Sequence, residues 1–315
     1  MLKWNNHEGF RTNREQGIKM MQENRNLLLI DGFNLLSRGY FATAYGKTED
    51  QLYKSSKGIY TNALRVFFQK MFALVRTNEV TRLAVAWDVK REESSRRQKY
   101  DFYKATRGEL PAPLIMQYEV LTDILDKAGV KQLSVPSYEA DDVIGTISTL
   151  WSSNELGNCY IYSNDRDLFQ LLNERTTQII AGKAGEIHYT IDRFRLDYGI
   201  DSTQWVDVKA LLGDSSDNIP GCPGIGEKTA LPLIQHYETL EGIYEQLEEL
   251  DPKFNRCRKK LHAGRESAFI SKELAQIICD TEEFSTWTHE ELMYDPNHDL
   301  LKAELENLEL NIRIS

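Results

Sequence analysis

The sequence predicts an α/β fold, with a parallel-sheet core and helices on both sides. Two observations carry this. Three short apolar runs stopped by Asp recur along the chain, as NLLLIDG at 26–32, TRLAVAWD at 81–88 and NCYIYSND at 158–165. Between them lie segments, at 59–76 and 114–128, with apolar residues at spacings of three and four. Short apolar runs bounded by polar residues read as buried parallel strands. Strands alternating with helices read as a parallel sheet.

The totals set bounds on this fold. With 315 residues and 41% hydrophobic content, the chain can bury one large domain and a smaller one. No apolar run reaches the roughly 18 residues of a membrane span, so no membrane role is expected. Residues 1–26 are polar and lack the apolar centre of a secretory signal; a disordered extension is expected there, with Met20 or Met21 as alternative starts. Cys159, Cys222, Cys257 and Cys279 show no CxxC spacing, which argues against thiolate metal sites and fits a reducing, cytoplasmic setting.

Each apolar run delivers a carboxylate to one edge of the sheet. Asp31, Asp88 and Asp165 follow the predicted strands, at the end where open parallel sheets bind ligands. A single Asp after a strand is an ordinary helix cap; three are harder to assign that way. The stretch SYEADDVIGTISTL at 137–150 then sets Glu139, Asp141 and Asp142 at the start of a helix with apolar Val143, Ile144, Ile147 and Leu150. A helix N-terminus favours negative charge and accounts for one or two of these acids. It does not account for all three together with Asp165 and Asp167 in SNDRDL.

Farther on, KALLGDSSDNIPGCPGIGEKTA at 209–230 spaces Asp214 and Asp217 so that both would share one side of a helical turn. Gly221, Gly224 and Gly226 then form a hairpin between two helices, the second starting at Lys228 and Thr229. Glycines allow close approach to a phosphate, and a helix N-terminus offers free N–H groups. The segment 90–107 carries seven Lys or Arg against three acids, interleaved with Tyr100, Phe102 and Tyr103, as a nucleic-acid path would be. Beyond about residue 235, Glu- and Leu-rich stretches read as amphipathic helices.

Nine carboxylates in one place repel one another unless cations neutralise them. Oxygen-only ligands favour hard ions, Mg²⁺ or Mn²⁺. Two such ions about 3.5–4 Å apart suit in-line displacement at phosphorus. The net charge of −10 is then no obstacle to a nucleic-acid partner: without the nine acids, 39 of 48 remain against 38 Lys and Arg. Lys104, then Arg96 and Arg107, are the cations expected to stabilise the developing charge.

These residues resemble the 5′-nuclease family, the flap endonucleases and 5′–3′ exonucleases that include the domain preceding bacterial DNA polymerase I. The matching pieces are LLIDGFNLLSRGYFA, AVAWDVK, YDFYKATRGELP, YEADDVIGT, SNDRDLFQLL and the stretch from Lys209 to Ile234. They span roughly residues 27–240. The resemblance implies a core at 27–205 with a helical arch at about 89–113, and a helical region at 206–315 with a helix–three-turn–helix at about 207–240. It implies two metal ions held by Asp31, Asp88, Glu139, Asp141, Asp142, Asp165, Asp167, Asp214 and Asp217. Lys104, after Tyr103, and Arg107 match the family's groups at the scissile phosphate, Arg96 its arch entry, and Arg38 a phosphate contact. The glycine hairpin with Lys228 and Thr229 is similar to the element that grips duplex DNA, with a K⁺ ion implied there. Ser95 stands where the family usually has an aromatic residue, and Pro232 lies early in a predicted helix.

The expected activity is Mg²⁺-dependent hydrolysis of DNA at 5′ flaps, free 5′ ends or nicks, RNA–DNA hybrids included, in replication and repair. The expected form is a stand-alone monomer. A DNA-structure-binding paralogue without catalysis, or an RNA-cleaving nuclease of a related fold, are the alternatives.

Overall fold

The computed structural model describes residues 25–183 and 185–314. The predicted polar extension therefore lies outside the described residues, apart from Arg25 and Asn26. Asn26 opens the first strand, β1 (Asn26–Asp31), one residue ahead of the expected core start.

The core continues as α1 (Gly32–Ala44), α2 (Asn62–Thr77), β2 (Val80–Ala86), α3 (Ser95–Lys99), α4 (Ala112–Lys127), β3 (Gln132–Leu133), α5 (Ala140–Ser153), β4 (Cys159–Tyr162), β5 (Thr176–Gly182) and β6 (Gly185–Tyr189). The strands form one sheet in the order β3-β2-β1-β4-β5-β6. The first five are parallel, and β6 pairs antiparallel with β5. This edge strand departs from the all-parallel expectation. The connection from Gly182 to Gly185 is too short for a crossover, so only a hairpin can form.

β1 is buried along its whole length, and its alternating side chains feed two cores. Leu28 and Ile30 pack with Leu36 of α1, Phe67 and Phe68 of α2 and Leu121 of α4. Leu27 and Leu29 face Val143, Ile144 and Ile147 of α5. Helices thus cover both faces, as predicted.

The remaining chain is helical: α6 (Ile191–Tyr198), α7 (Trp205–Leu212), α8 (Glu227–Tyr237), α9 (Leu240–Glu245), α10 (Arg258–Ala263), α11 (Arg265–Ala275) and α12 (His298–Asn307). A third core joins Phe194, Trp205, Leu211, Leu233 and Leu261 to Phe169, which follows β4. α12 instead returns to the sheet domain through Leu301 and Leu305. Among the described residues no helix is long and apolar enough to cross a membrane.

Residues 89–113, expected as a helical arch, contain one 3₁₀ turn (Arg91–Glu93) and the five-residue α3, followed by turns up to α4. The sequence KREESSRRQK has no apolar stripe to hold a longer helix. It is instead tied down by ion pairs from Arg96 to Asp142 and from Lys99 to Glu273.

Candidate active site

In open parallel sheets a crevice forms where the strand order reverses. Here that point lies between β1, which leads outward to β2 and β3, and β4, on its other side. A cavity of about 210 Å³ sits there, lined by Asp31, Asp88, Glu139, Asp141, Asp165, Asp167 and Asp217 together with Lys104 and Arg107.

Local structure explains each placement. Asp31 ends β1 and caps α1, accepting from the Asn34 N–H at 3.0 Å and from the Ser163 hydroxyl at 2.9 Å. Asp88 follows β2 and accepts from the Ala140 N–H at 2.9 Å. Asp165 caps the 3₁₀ turn after β4, accepting from the Asp167 N–H at 2.8 Å. Glu139 caps α5 and receives Ser94 Oγ and the Tyr103 hydroxyl at 3.0 Å each, and Lys104 Nζ at 2.7 Å. Capping and facing the cavity are therefore compatible for Asp31 and Asp165: each accepts a capping N–H while its side chain lines the cavity.

Two of the nine acids do not line the cavity. Asp142 is fully buried, and its carboxylate is taken by Arg96 at 2.6 and 2.7 Å and by the N–H groups of Ile278 and Glu139. This pairing keeps Asp142, expected as a metal ligand, out of the cavity lining, whereas Arg96, expected to be catalytic, does line the cavity and also meets the Glu139 carboxylate at 3.9 Å and the Gln276 carbonyl at 2.6 Å. Asp214 lies beside the cavity, accepting from Ser216 N–H and Oγ and from Lys209 Nζ at 2.9 Å. Asp214 and Asp217 do not share a helical turn. Asp214 pairs with Ile219 across a tight turn, in which Asn218 adopts φ +59°.

The proposed DNA contacts also separate. Tyr103 is 3% exposed and packs among Val206, Ile219, Leu274 and Ala275, so its ring is not available to stack on a base. Arg38 is exposed on α1, one turn beyond Asn34, and does not line the cavity. The hairpin between α7 and α8 is set by Gly213 and Gly221, both at left-handed φ. A Cβ on Gly221 would stand 2.5 Å from the Gly213 backbone nitrogen. Gly224, at φ +82°, lies with Lys228 and Thr229 in a second cavity of about 500 Å³, lined also by Lys253, Arg256 and Lys260. Gly226 caps α8 with open space beside it. Pro232 lies inside α8 rather than in its first turn. Sequence reasoning passed over Lys253, Arg256 and Lys260, although the run KFNRCRKK carried the signal. It also passed over Lys209, which stands between two acidic motifs.

The electrostatics are those of crowded like charges. Burial, then the charge of Asp88, pushes the Asp31 carboxyl up to about 7. Burial and the nearby Asp165, Asp31 and Asp88 raise Asp141 well above the ordinary range. Burial and Asp165 push Asp167 up to about 7. Against the effect of burial, hydrogen bonds from Ser216 and Lys209 hold Asp214 down at about 2. Burial opposes the charge of Lys104, but Glu139, Asp88 and Asp217 outweigh it and raise its pKa.

As the side chains stand, no three acids, histidines or cysteines among the described residues form a ready shell for an ion. The outer carboxylates are instead met by Lys104, Arg107 and Lys209. The inner ones still fit a hard divalent cation. They are oxygen donors only, they repel one another, and Asp141 has no hydrogen-bond or ion-pair partner among the described residues.

Residues 26–199 match the 5′-3′ exonuclease N-terminal resolvase-like domain, and residues 200–298 the 5′-3′ exonuclease C-terminal SAM fold. The chain is 57% identical over 289 residues to a 5′-3′ exonuclease of Halalkalibacterium halodurans, covering 92% of this chain and 95% of that protein. It is 36% identical to DNA polymerase I of Caldicellulosiruptor bescii over 81% of this chain, and spans 29% of that polymerase. Its fold is similar to a flap endonuclease of bacteriophage T5 solved as a pseudo-enzyme-product complex with DNA and metal ions. The TM-score there is 0.62 at 22% identity, covering 90% of this chain and 98% of that one.

Proposed function

Because the chain belongs to the 5′-3′ exonuclease family, we propose that it is a divalent-cation-dependent, structure-selective nuclease that hydrolyses DNA phosphodiesters near 5′ ends. The substrates would be 5′ flaps, nicks and free 5′ ends, including RNA-primed ones, met in the cytoplasm during replication and repair by a monomer. The observation that carries this reading is the gathering of seven carboxylates around one cavity at the β1/β4 switch point, with the Lys104 ammonium among them. The T5 flap endonuclease complex with DNA and metal ions supports the same reading.

Asp31, Asp88, Glu139, Asp141, Asp165, Asp167 and Asp217 would hold two Mg²⁺ or Mn²⁺ ions. Bound there, such ions supply Lewis-acid activation of water and of a phosphodiester. The chain's own contribution is orientation and charge. Lys104, 12% exposed and paired with Glu139, stands where it can meet a phosphate oxygen as negative charge develops. Arg107, half exposed on Asp217 at 2.5 Å, can reach the same phosphate from the solvent side. Tyr103 buttresses Glu139 rather than touching substrate. The second cavity, with Lys228, Lys253, Arg256 and Lys260 around the α8 N-terminus, would hold the duplex backbone; a K⁺ ion at that hairpin belongs to the same reading.

The test is cleavage of a labelled 5′-flap duplex, a nicked duplex and single-stranded RNA with and without Mg²⁺. Flap or nick cleavage that needs Mg²⁺ and falls by about 10³-fold or more in Asp88→Asn is expected. Undiminished cleavage by a folded Asp88→Asn protein would refute the assignment, and binding without product would favour a non-catalytic paralogue.

A further inference from the structure

The carboxylates divide into two groups by what neutralises them. Asp31, Asp88, Asp141 and Asp165 form no ion pair among the described residues; Asp31, Asp88 and Asp165 accept from backbone N–H groups, and Asp31 also from the Ser163 hydroxyl. Asp167 and Asp214 share a single ammonium. Lys209 Nζ lies 2.8 Å from Asp167 Oδ1 and 2.9 Å from Asp214 Oδ2, and its side chain is 13% exposed.

Lys209 stands in the last turn of α7, and the backbone places it between two elements. Asp167 comes from the 3₁₀ turn after β4, and Asp214 opens the tight turn after α7. The lysine therefore ties the sheet domain to the start of the glycine hairpin, at the flank of the cavity. An ammonium there satisfies the charge that a divalent ion on Asp167 would satisfy. The two compete for the same lone pairs, and even an undisplaced lysine lowers the attraction felt by an incoming cation.

We infer that Lys209 is a resident counter-ion that makes the two divalent-cation positions unequal, weakening the one built on Asp167 and leaving the one built on Asp31, Asp88 and Asp141 untouched. It acts through the carboxylates it holds, as a positioning residue, with no contact to the reacting phosphate. The inference rests on the two-ion reading above. It adds that the weaker ion has to displace a side chain, so occupancy of that position is set by the ammonium as well as by ligand count.

The experiment is calorimetric titration of chelator-treated protein with MnCl₂, for the wild type, Lys209→Met and Lys209→Arg, with melting curves in chelator to verify folding. The wild type should show two classes of Mn²⁺ binding. In Lys209→Met the weaker class should tighten by about tenfold or more, the effect of removing a directly paired charge, while the stronger class stays unchanged. Lys209→Arg, which keeps the charge, should retain the weak class. If Lys209→Met does not fold free of metal, Lys209→Gln keeps the side chain's hydrogen bonding without its charge and should show the same tightening, or fold once Mn²⁺ is supplied. A weaker class unchanged or loosened in a folded neutral variant would overturn the inference, as would neutral variants that stay unfolded with Mn²⁺ present. Wild-type protein that binds no Mn²⁺ would overturn the two-ion reading itself, a separate outcome.

Discussion

The backbone N–H of Lys104 donates to the carbonyl oxygen of Asp217 at 2.8 Å. Lys104 holds φ +53°, a conformation that costs a non-glycine residue free energy. The bond is part of a seam: Asn218 Oδ1 accepts from the Thr106 N–H and hydroxyl, and Arg107 meets the Asp217 carboxylate. The segment carrying Lys104 is thereby docked on the turn that carries the last cavity acid. The two come from distant parts of the sequence, and the strain at Lys104 is sustained by the docking.

Lys104→Ala should therefore lose charge without losing place, because the backbone bond to Asp217 survives the substitution. Turnover on a 5′-flap substrate is expected to fall by about 10²–10³-fold, the scale of removing one preorganised charge donor. The apparent KM should change much less. A large rise in KM with kcat preserved would assign Lys104 to ground-state DNA binding instead.

Asp142 gives a different signature from the cavity acids. Removing it takes away the closest counter-charge of the Arg96 guanidinium, which is only 10% exposed and has Glu139 no nearer than 3.9 Å. Asp142→Ala should cost about 3–5 kcal/mol of stability, the scale of breaking one side of a buried pair. Mn²⁺ binding to the folded fraction should persist. The double variant Asp142→Leu, Arg96→Met should recover much of the stability. Loss of a Mn²⁺ class in folded Asp142→Ala would return the residue to the ligand set.

The crowded acids make the metal-free protein sensitive to rising pH. A carboxyl whose folded-state pKa is raised contributes stability below its unfolded value, and that stability is lost as pH climbs through the folded value. For Asp31 and Asp167 the window runs from 3.8 to about 7. Asp214 works in the opposite sense, losing its contribution only as pH falls from 3.8 towards about 2. In chelator the melting temperature should thus drop between about pH 5 and pH 7.5, and Mg²⁺ should restore it more at the higher pH. Asp141→Asn removes a repelling charge that has no partner, so it should raise the melting temperature in chelator at the higher pH and shrink the Mg²⁺ response. Calorimetric scans at the two pH values decide this; a metal response independent of pH would contradict it.

The sheet and its acids were legible because both obey local rules. β1 and β4 are apolar over most of their length and β2 from Leu83 onward, and Asp31, Asp165 and Glu139 stand where caps stand. Side-chain direction was not legible. Asp141 and Asp142 are adjacent, yet the helical turn sends the first to the cavity and the second to Arg96. Tyr103 buries its ring in an apolar cluster and brings only its hydroxyl to Glu139 at the cavity, beside the Lys104 ammonium, an arrangement no sequence spacing announces. Lys209 was hidden for another reason. Its partner Asp167 lies 42 positions upstream by number, and only the packing of α7 against the turn after β4 brings them together.

The second cavity yields the last prediction. Lys228, Lys253, Arg256 and Lys260 line it beside the N-terminus of α8, and no acid among the described residues lines it. Lys260 Nζ also donates to the Gly224 carbonyl at 3.0 Å, fixing its charge beside the hairpin. Such a surface attracts phosphates without reading bases, so its contribution should follow counterion release. Each Lys→Ala variant at 228 or 253 should weaken duplex binding similarly for unrelated sequences and lower the slope of log K against log salt by about one. Turnover at saturating flap substrate should stay near wild type, because these side chains do not line the acid cavity. Fluorescence anisotropy across a salt series, paired with saturating kinetics, measures both quantities. An unchanged salt slope in both variants would remove this cavity from the duplex path, while a loss of turnover at saturation would place it in the chemistry rather than in binding.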